Sequence, residues 1–211
     1  MSEVRNPLFA RVYARLSESS ERKGQAQHRE RALAGLTGRV VEVGAGHGLN
    51  FTHYPEGVGE VIAVEPEPYL RGLAQRAAQA APVPVRVVDG MADALPLGDG
   101  EADAGVASLV LCTVPDPAAA LAELRRVIQP GGELRFYEHV RAQSPGMARF
   151  QRLADATLWP LFAGGCHSHR DTLDAIHAAG FEVERCQRFD FRPSVVEYAV
   201  TPRILGVARR P

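Results

Sequence analysis

Three glycines at alternate positions, Gly44, Gly46 and Gly48, follow the apolar run Val40 to Val43 and precede Leu49-Asn50-Phe51. A buried strand that turns through glycines into a helix is where α/β sheets hold nucleotide-like ligands. Without a Cβ, the backbone can take positive φ and a ligand can lie against the main chain. Roughly twenty positions on, Glu65 ends a second apolar run, where such units place the carboxylate that holds a ribose hydroxyl pair. The plainer alternative is a surface glutamate at a strand end. Two further positions have acid–base potential. His139 closes a fifth apolar run on the rim that carries the glycine turn, and a histidine capping a strand end is its bland reading. His167 and His169 follow Gly164-Gly165-Cys166 and are placed to face the same pocket. The run Cys166-His167-Ser168-His169 matches no common zinc spacing, and the remaining cysteines form no CxxC pair, so no metal site is expected. Cys112 sits in an apolar run and reads as a small core residue.

The elements that must position these residues alternate in type. Strands are expected at Val40–Val43, Glu60–Glu65, Val83–Val88, Asp103–Cys112 and Glu133–Val140. Between them lie a helix from Asn50 or Phe51 interrupted near Tyr54-Pro55, an alanine-rich helix to about Ala81, and a helix over Pro117–Ile128 stopped by Pro130-Gly131-Gly132. Such alternation specifies a doubly wound, mostly parallel sheet. A helix over Pro145–Phe162 and another over Asp171–Ala179 follow. The last two strands, Phe181–Phe189 and Pro202–Arg209, are separated by only about a dozen residues and should pair antiparallel at an edge. At the start, Asn6–Leu16 places Leu8, Phe9, Val12, Tyr13 and Leu16 on one helix side, opposite Arg11 and Arg15. Three readings fit: a helix packed over the domain body, a lid over a ligand with Tyr13 as its active residue, or a membrane-surface helix. Ser17–Glu30 is polar and reads as a solvated helix or a loose linker.

The totals narrow the partners. With 211 residues, 45% hydrophobic and a net charge of −1, the chain has room for one domain and lacks the basic excess that nucleic acid requires. Its positive charge is almost all arginine, so single arginines carry little functional weight. Three widely spaced cysteines are expected to be reduced thiols of a cytoplasmic protein. The longest apolar run, near 105–114, is about half the length that spans a bilayer, so no stable membrane insertion is expected. Oligomeric state is left open.

Taken together, the E-V-G-x-G-x-G turn at Glu42–Gly48, the acidic strand end at Glu65, the A-D-A-L-P loop at Ala92–Pro96 and the L-R-R-V-I-Q-P-G-G-E-L run at Leu124–Leu134 resemble the class I S-adenosylmethionine-dependent methyltransferases. Four further runs resemble the small methyltransferase-like thiol S-methyltransferases. They are G-x-N-F-x-x-Y-P at Gly48–Pro55, L-V-L-C-T-V at Leu109–Val114, Phe136–Val140, and G-C-H-x-x-R-x-T at Gly165–Thr172. The resemblance implies a Rossmann-like seven-stranded sheet with the last strand antiparallel, and S-adenosyl-L-methionine as cofactor. It also implies a layout: a lid or cap over 1–30, a cofactor core over 35–140, a substrate-side insert over 141–170, and a closing helix and strands over 171–209.

Carried onto this chain, the resemblance implies that Gly44, Ala45, Gly46, Gly48 and Asn50 lie along the methionine and ribose, with Glu42 near the amino group. Glu65 and Pro66 would meet the ribose. Met91 stands where many relatives have an aspartate for adenine, so backbone at Met91 and Ala92 takes that task. Ser108, Leu109 and Val110 would wall the methionine. The implied reaction is in-line methyl transfer to a small apolar thiol, with His139 taking or orienting the thiol proton and Tyr13 and His167 touching the acceptor. N- or C-methylation of a phospholipid headgroup or quinone precursor is the alternative, and a non-catalytic cofactor-binding protein is a third reading.

Overall fold

The computed structural model describes residues 7–157 and 159–211. Helices α1 (Pro7–Ser20) and α2 (Ala26–Leu33) are joined by a π-turn at Glu21–Gln25, where Gly24 at φ 113° redirects the chain. The sheet region then runs β1 (Gly38–Val43), β2 (Val58–Val64), α3 (Pro68–Ala78), β3 (Val85–Val88), β4 (Ala102–Ser108), α4 (Pro117–Val127) and β5 (Ile128–His139). Helices α5 (Pro145–Asp155), α6 (Trp159–Phe162) and α7 (Thr172–Ala178) precede β6 (Glu182–Asp190) and β7 (Pro202–Arg209).

The seven strands lie in the order β3-β2-β1-β4-β5-β7-β6. β1 to β5 pair in parallel, while β7 runs antiparallel to both β5 and β6. Successive residues of a strand face opposite sides of the sheet. Val41, Val43, Ile62 and Val64 accordingly join Leu121, Leu124 and Ile128 on one face, while Val40, Val61, Ala63 and Val106 meet Leu33 and Phe51 on the other. Burial on both faces is why these strands are apolar throughout. The helices after β2 and β4 start at defined caps: Glu67 accepts from Leu70 N, Asp116 accepts from Ala118 N and Ala119 N, and Pro68 and Pro117 take the first helical turn.

The doubly wound seven-stranded sheet, its antiparallel last strand and the bounds of β7 agree with the sequence. Several local expectations do not. The helix after the glycine turn is reduced to one 3-10 turn, Phe51–His53, because Pro55 drives Tyr54 into extended backbone (φ −67°, ψ 130°). β4 ends at Ser108, and Cys112 lies in the turn beyond it, since Leu109 adopts φ 58°. β5 begins at Ile128, which pairs with Ala102 before the chain bulges across Pro130-Gly131-Gly132. The long helix from Pro145 is two helices, the first ending at Asp155.

The N-terminal expectations change most. Residues 17–30 are not a solvated stretch, because Ser17, Ser20, Gln25 and Arg29 are buried. The inward face of α1 is Ala10, Tyr13, Ala14 and Ser17, whereas Val12 and Leu16 are 48% and 57% exposed. Asn6 and the side chains of Leu8 and Phe9 lie outside what is described. Small residues face inward because α1 packs closely on Leu70 and Leu73 of α3. No described helix is long and apolar enough to cross a membrane.

Candidate active site

A cavity of about 490 Å³ opens at the carboxyl ends of β1, β2 and β4, beneath α1. Its first half is built from backbone and one carboxylate. Gly44, Gly46, Glu65, Pro66, Met91 and Ala92 line it, as the sequence led one to expect, and Asp93 and Leu70 join them. Glu65 accepts from Gly46 N at 2.8 Å and from Glu67 N at 2.9 Å, so it fixes the turn as well as facing the cavity. Burial pushes its carboxyl up to about 7, partly offset by those two hydrogen bonds. The glycines have different tasks. At Gly46 (φ 59°) a Cβ would meet only Tyr13, at 3.8 Å, so the space above this backbone is open. At Gly48 (φ 86°) it would strike Phe51 at 2.7 Å and Ala77 at 2.9 Å, so that glycine serves close packing. An open main-chain face, a carboxylate at the second strand end and an apolar slot at Met91-Ala92 fit the methionine, ribose and adenine of S-adenosylmethionine.

The second half is bounded by Leu109, Val110, Thr113, Val114 and Pro115 on one side and by Pro160, Ala163, Gly164 and Gly165 on the other. Three consecutive β5 residues hold the first of these walls. Tyr137 O accepts from Leu109 N at 2.7 Å. The Glu138 carboxylate accepts from Val110 N and Leu111 N at 2.9 Å and from Cys112 N at 3.3 Å. Burial drives Glu138 up to about 7, with these backbone donors opposing the shift. His139 turns its Nδ1 towards Cys112 Sγ at 3.5 Å and Cys166 Sγ at 3.7 Å. From the other side, Arg170 donates to Leu111 O at 2.6 Å and Val114 O at 2.7 Å, and His167 N donates to Cys112 O at 2.8 Å. Asp155 accepts from Ser168 N, Ser168 Oγ and His169 N, tying the Gly165–Arg170 loop to α5.

Tyr13 reaches the cavity from α1, near Gly46 and edge-on to His47. Burial raises its phenol to about 12, against the nearby Arg29 guanidinium, so it is a neutral hydroxyl at physiological pH. α1 thus packs over the domain body on α3 and brings Tyr13 to the cavity.

Eight of the expected site residues do not line this cavity. Glu42 is buried behind it, accepting from Asn50 Nδ2 at 2.8 Å and Tyr54 Oη at 2.7 Å, with burial raising its carboxyl to about 7. Asn50 Oδ1 and Ser108 Oγ both accept from Arg29 Nη1, at 2.9 and 3.0 Å. Arg29 itself pairs with Glu21 at 2.7 Å, so these polar groups satisfy one another. Ala45 packs into the core and Gly48 against Phe51. His139 faces the two sulfurs, and burial lowers its pKa well below the usual histidine range. His167 Nδ1 pairs with Gly165 O at 2.7 Å, and His169 lines a separate surface groove beside Arg141, Arg152 and Arg188. What the sequence reading missed is Glu138 and Arg170, although both lie inside runs it singled out. A glutamate following Phe136-Tyr137 in a central strand was the available signal, since a buried carboxylate must find donors.

The methyltransferase domain family matches residues 41–136. A thiol S-methyltransferase, TMT1B of Homo sapiens, is 32% identical over 210 residues, covering 95% of this chain and 85% of that protein. The mouse protein of the same name is 35% identical over 95% of this chain and 82% of its own length. Among solved structures, a Bacillus halodurans protein described as a putative methyltransferase superposes with a TM-score of 0.72 at 18% identity, covering 88% of this chain and 98% of that one.

Proposed function

Because this chain belongs to the class I S-adenosylmethionine-dependent methyltransferases, we propose that it methylates the sulfur of a small apolar thiol. The observation that carries this reading is the acceptor end of the cavity. Among the described residues, no histidine, lysine or arginine lines it, and apart from Thr113 and Asp116 the walls from Leu109 to Asp116 and from Pro160 to Gly165 are apolar. An amine acceptor is protonated at neutral pH and a carbon acceptor needs a base to expose its electron pair. A thiol with a pKa of about 8.5 is already a few per cent thiolate. A headgroup phosphate would need cations that this wall does not offer. The relatives named thiol S-methyltransferase add support from outside the site.

When bound, S-adenosylmethionine supplies an electrophilic methyl group on its sulfonium. The protein's tasks are to hold, align and dry. Glu65 would accept from the ribose hydroxyls, Gly46 would present open backbone to the methionine, Gly44 lets the main chain pack against Val110 at the cavity edge, and Pro66, Met91 and Ala92 would flank the nucleoside. Leu109 and Val110 would form the side wall where the methionine end meets the acceptor end, and Tyr13 reaches the cavity from α1 with a neutral hydroxyl. With the thiol proton released to solvent, these walls would align the thiolate sulfur with the methyl group that S-adenosylmethionine supplies, the cofactor being left as S-adenosylhomocysteine. His139 stands behind the wall, so its role is to position Cys112 and Cys166 rather than to take the acceptor's proton. His167 likewise shapes the wall through its backbone bond to Cys112. The free thiols Cys112, Cys166 and Cys186 suit a cytoplasmic setting.

Incubating the protein with methyl-labelled cofactor and a panel of alkyl thiols, phospholipid vesicles and phenols tests the assignment. Label is expected in the methyl thioether. Label in a headgroup or a quinol precursor, with none in any thiol, overturns it.

A further inference from the structure

Cys112, His139 and Cys166 come from three segments that are far apart in the chain: the turn after β4, the end of β5 and the loop after α6. Their donor atoms, two Sγ and one imidazole nitrogen, all lie within 4.8 Å of one another. The cysteines are 1% and 6% exposed. Among the described residues, the polar contacts of the His139 ring are these two sulfurs, and its Nε2 is buried without a partner. Cys112 Sγ also lies 3.6 Å from Thr113 Oγ1, so the cluster joins two sulfurs and one imidazole nitrogen at close range. The Nδ1 to Sγ distances of 3.5 and 3.7 Å also match the edge of a tetrahedral zinc site, about 3.5 Å for Zn–S and Zn–N bonds of ordinary length. Local spacing had argued against zinc at Cys166-His167-Ser168-His169, and the fold brings together a different set.

The geometry points to a zinc site: Cys112 Sγ, His139 Nδ1 and Cys166 Sγ bind one Zn²⁺ and leave its fourth position open. On binding, two S–H bonds break, two Zn–S bonds and one Zn–N bond form, and two protons pass to solvent. The resulting centre is neutral, which suits a buried apolar site. Two thiolates and an imidazole are a soft set that selects zinc over magnesium or calcium. Thr113 and Gly165, the chain neighbours of the two cysteines, line the acceptor end of the cavity. The ion therefore ties together the three segments that shape that wall. This inference stands apart from the choice of acceptor, because the site holds metal whether or not the acceptor is a thiol.

The test uses the full chain, stripped of metal under reducing conditions and titrated with Zn²⁺ or with Co²⁺ as a spectroscopic probe. One equivalent should bind with release of two protons, the Co²⁺ form should show sulfur-to-cobalt charge transfer, and Zn²⁺ should raise the melting temperature by several degrees. Cys186, exposed on β6, is the control: Cys186→Ser should retain every signal, while Cys112→Ser combined with Cys166→Ser should lose them. The inference is overturned if the folded wild-type protein shows no charge-transfer band, or if the double variant binds as tightly as wild type. The wild-type cobalt spectrum decides the matter alone should the double variant fail to fold.

Discussion

The two halves of the cavity are built on different physical principles. The cofactor half uses main chain: an open backbone face at Gly46, the ends of β1 and β2, and one carboxylate, Glu65, that is only a few residues from the groups it binds on one side and nineteen from Gly46 on the other. The acceptor half is a loop wall clamped by buried side chains from distant segments. Glu138 reaches 26 to 28 residues back to the Val110–Cys112 turn, and Arg170 reaches 56 to 59 residues back to Val114 and Leu111. A site assembled from backbone gives one ligand shape. A wall held by exchangeable clamps gives a chamber whose shape can change while the cofactor half stays as it is.

The largest expected effect is on the clamp. Glu138→Ala leaves three buried backbone N–H groups without acceptors, at about 1–3 kcal/mol for each group fully orphaned. Partial relaxation brings the expected loss of folding stability to about 3–5 kcal/mol by chemical denaturation. Glu138→Gln should recover much of it, because Val110 N and Leu111 N share Oε1. Equal stability of wild type and Glu138→Ala would mean that this carboxylate does not hold the wall.

This contrast also explains what could be read from the sequence. The places of Gly44, Gly46 and Glu65 on the cavity were legible because strand-to-turn spacing fixes the backbone there, whereas Met91 and Ala92 were placed by the family resemblance. β1 to β5 were legible because burial on both sheet faces demands continuous apolar runs. The acceptor wall was not, since the tasks of Glu138 and Arg170 depend on contacts that no local period encodes. Histidines drew attention within the same runs because their chemistry is familiar, yet the adjacent glutamate and arginine make the bonds. Asn50 and Ser108 lie off the cavity for a related reason: their partner Arg29 lies in a segment whose polarity suggested solvent, and Glu42 is drawn behind the cavity by Asn50 and Tyr54.

Next in size is the cofactor anchor. Glu65→Ala should weaken S-adenosylmethionine binding by about 1.5–3 kcal/mol, the range for a charged acceptor of hydrogen bonds, or roughly 10- to 150-fold in Kd. Calorimetry measures this directly. With cofactor saturating, the KM for a thiol should stay near that of wild type, because Glu65 belongs to the other half. A thiol KM that rises as far as the cofactor Kd would dissolve the division between the halves.

The same carboxylate gives two opposite pH slopes. Its pKa in the fold is about 7, above the ordinary 4.5, so the folded chain binds this proton more tightly than the unfolded chain does. Its contribution to stability is therefore complete below about 4.5 and is lost as pH rises through 7. Cofactor binding runs the other way, because only the ionised carboxylate accepts from both ribose hydroxyls. Kd should rise by up to about tenfold for each pH unit below 7, which is about 1.4 kcal/mol. Glu65→Gln should flatten the binding slope. Glu42, also held near 7 but behind the cavity, should affect stability with pH and leave that binding slope in place.

The smallest effect belongs to the residue that spans both halves. Tyr13 enters from α1, lies beside Gly46 and lines the cavity with a phenol raised to about 12, so ionisation plays no part in its role at neutral pH. Removing the hydroxyl while keeping the ring leaves lid packing against Ala10, Ala14 and Leu70 largely intact. Tyr13→Phe should then cost no more than about 0.5–1.5 kcal/mol, one neutral hydrogen bond, or a few-fold in kcat/KM. Tyr13→Ala also opens the lid, and it should raise the cofactor Kd and the thiol KM together, because water then enters both halves at once. If Tyr13→Ala shifted the thiol KM alone, α1 would belong to the acceptor wall and the lid would begin elsewhere; a matched rise in both makes it the element that closes the two halves into one chamber.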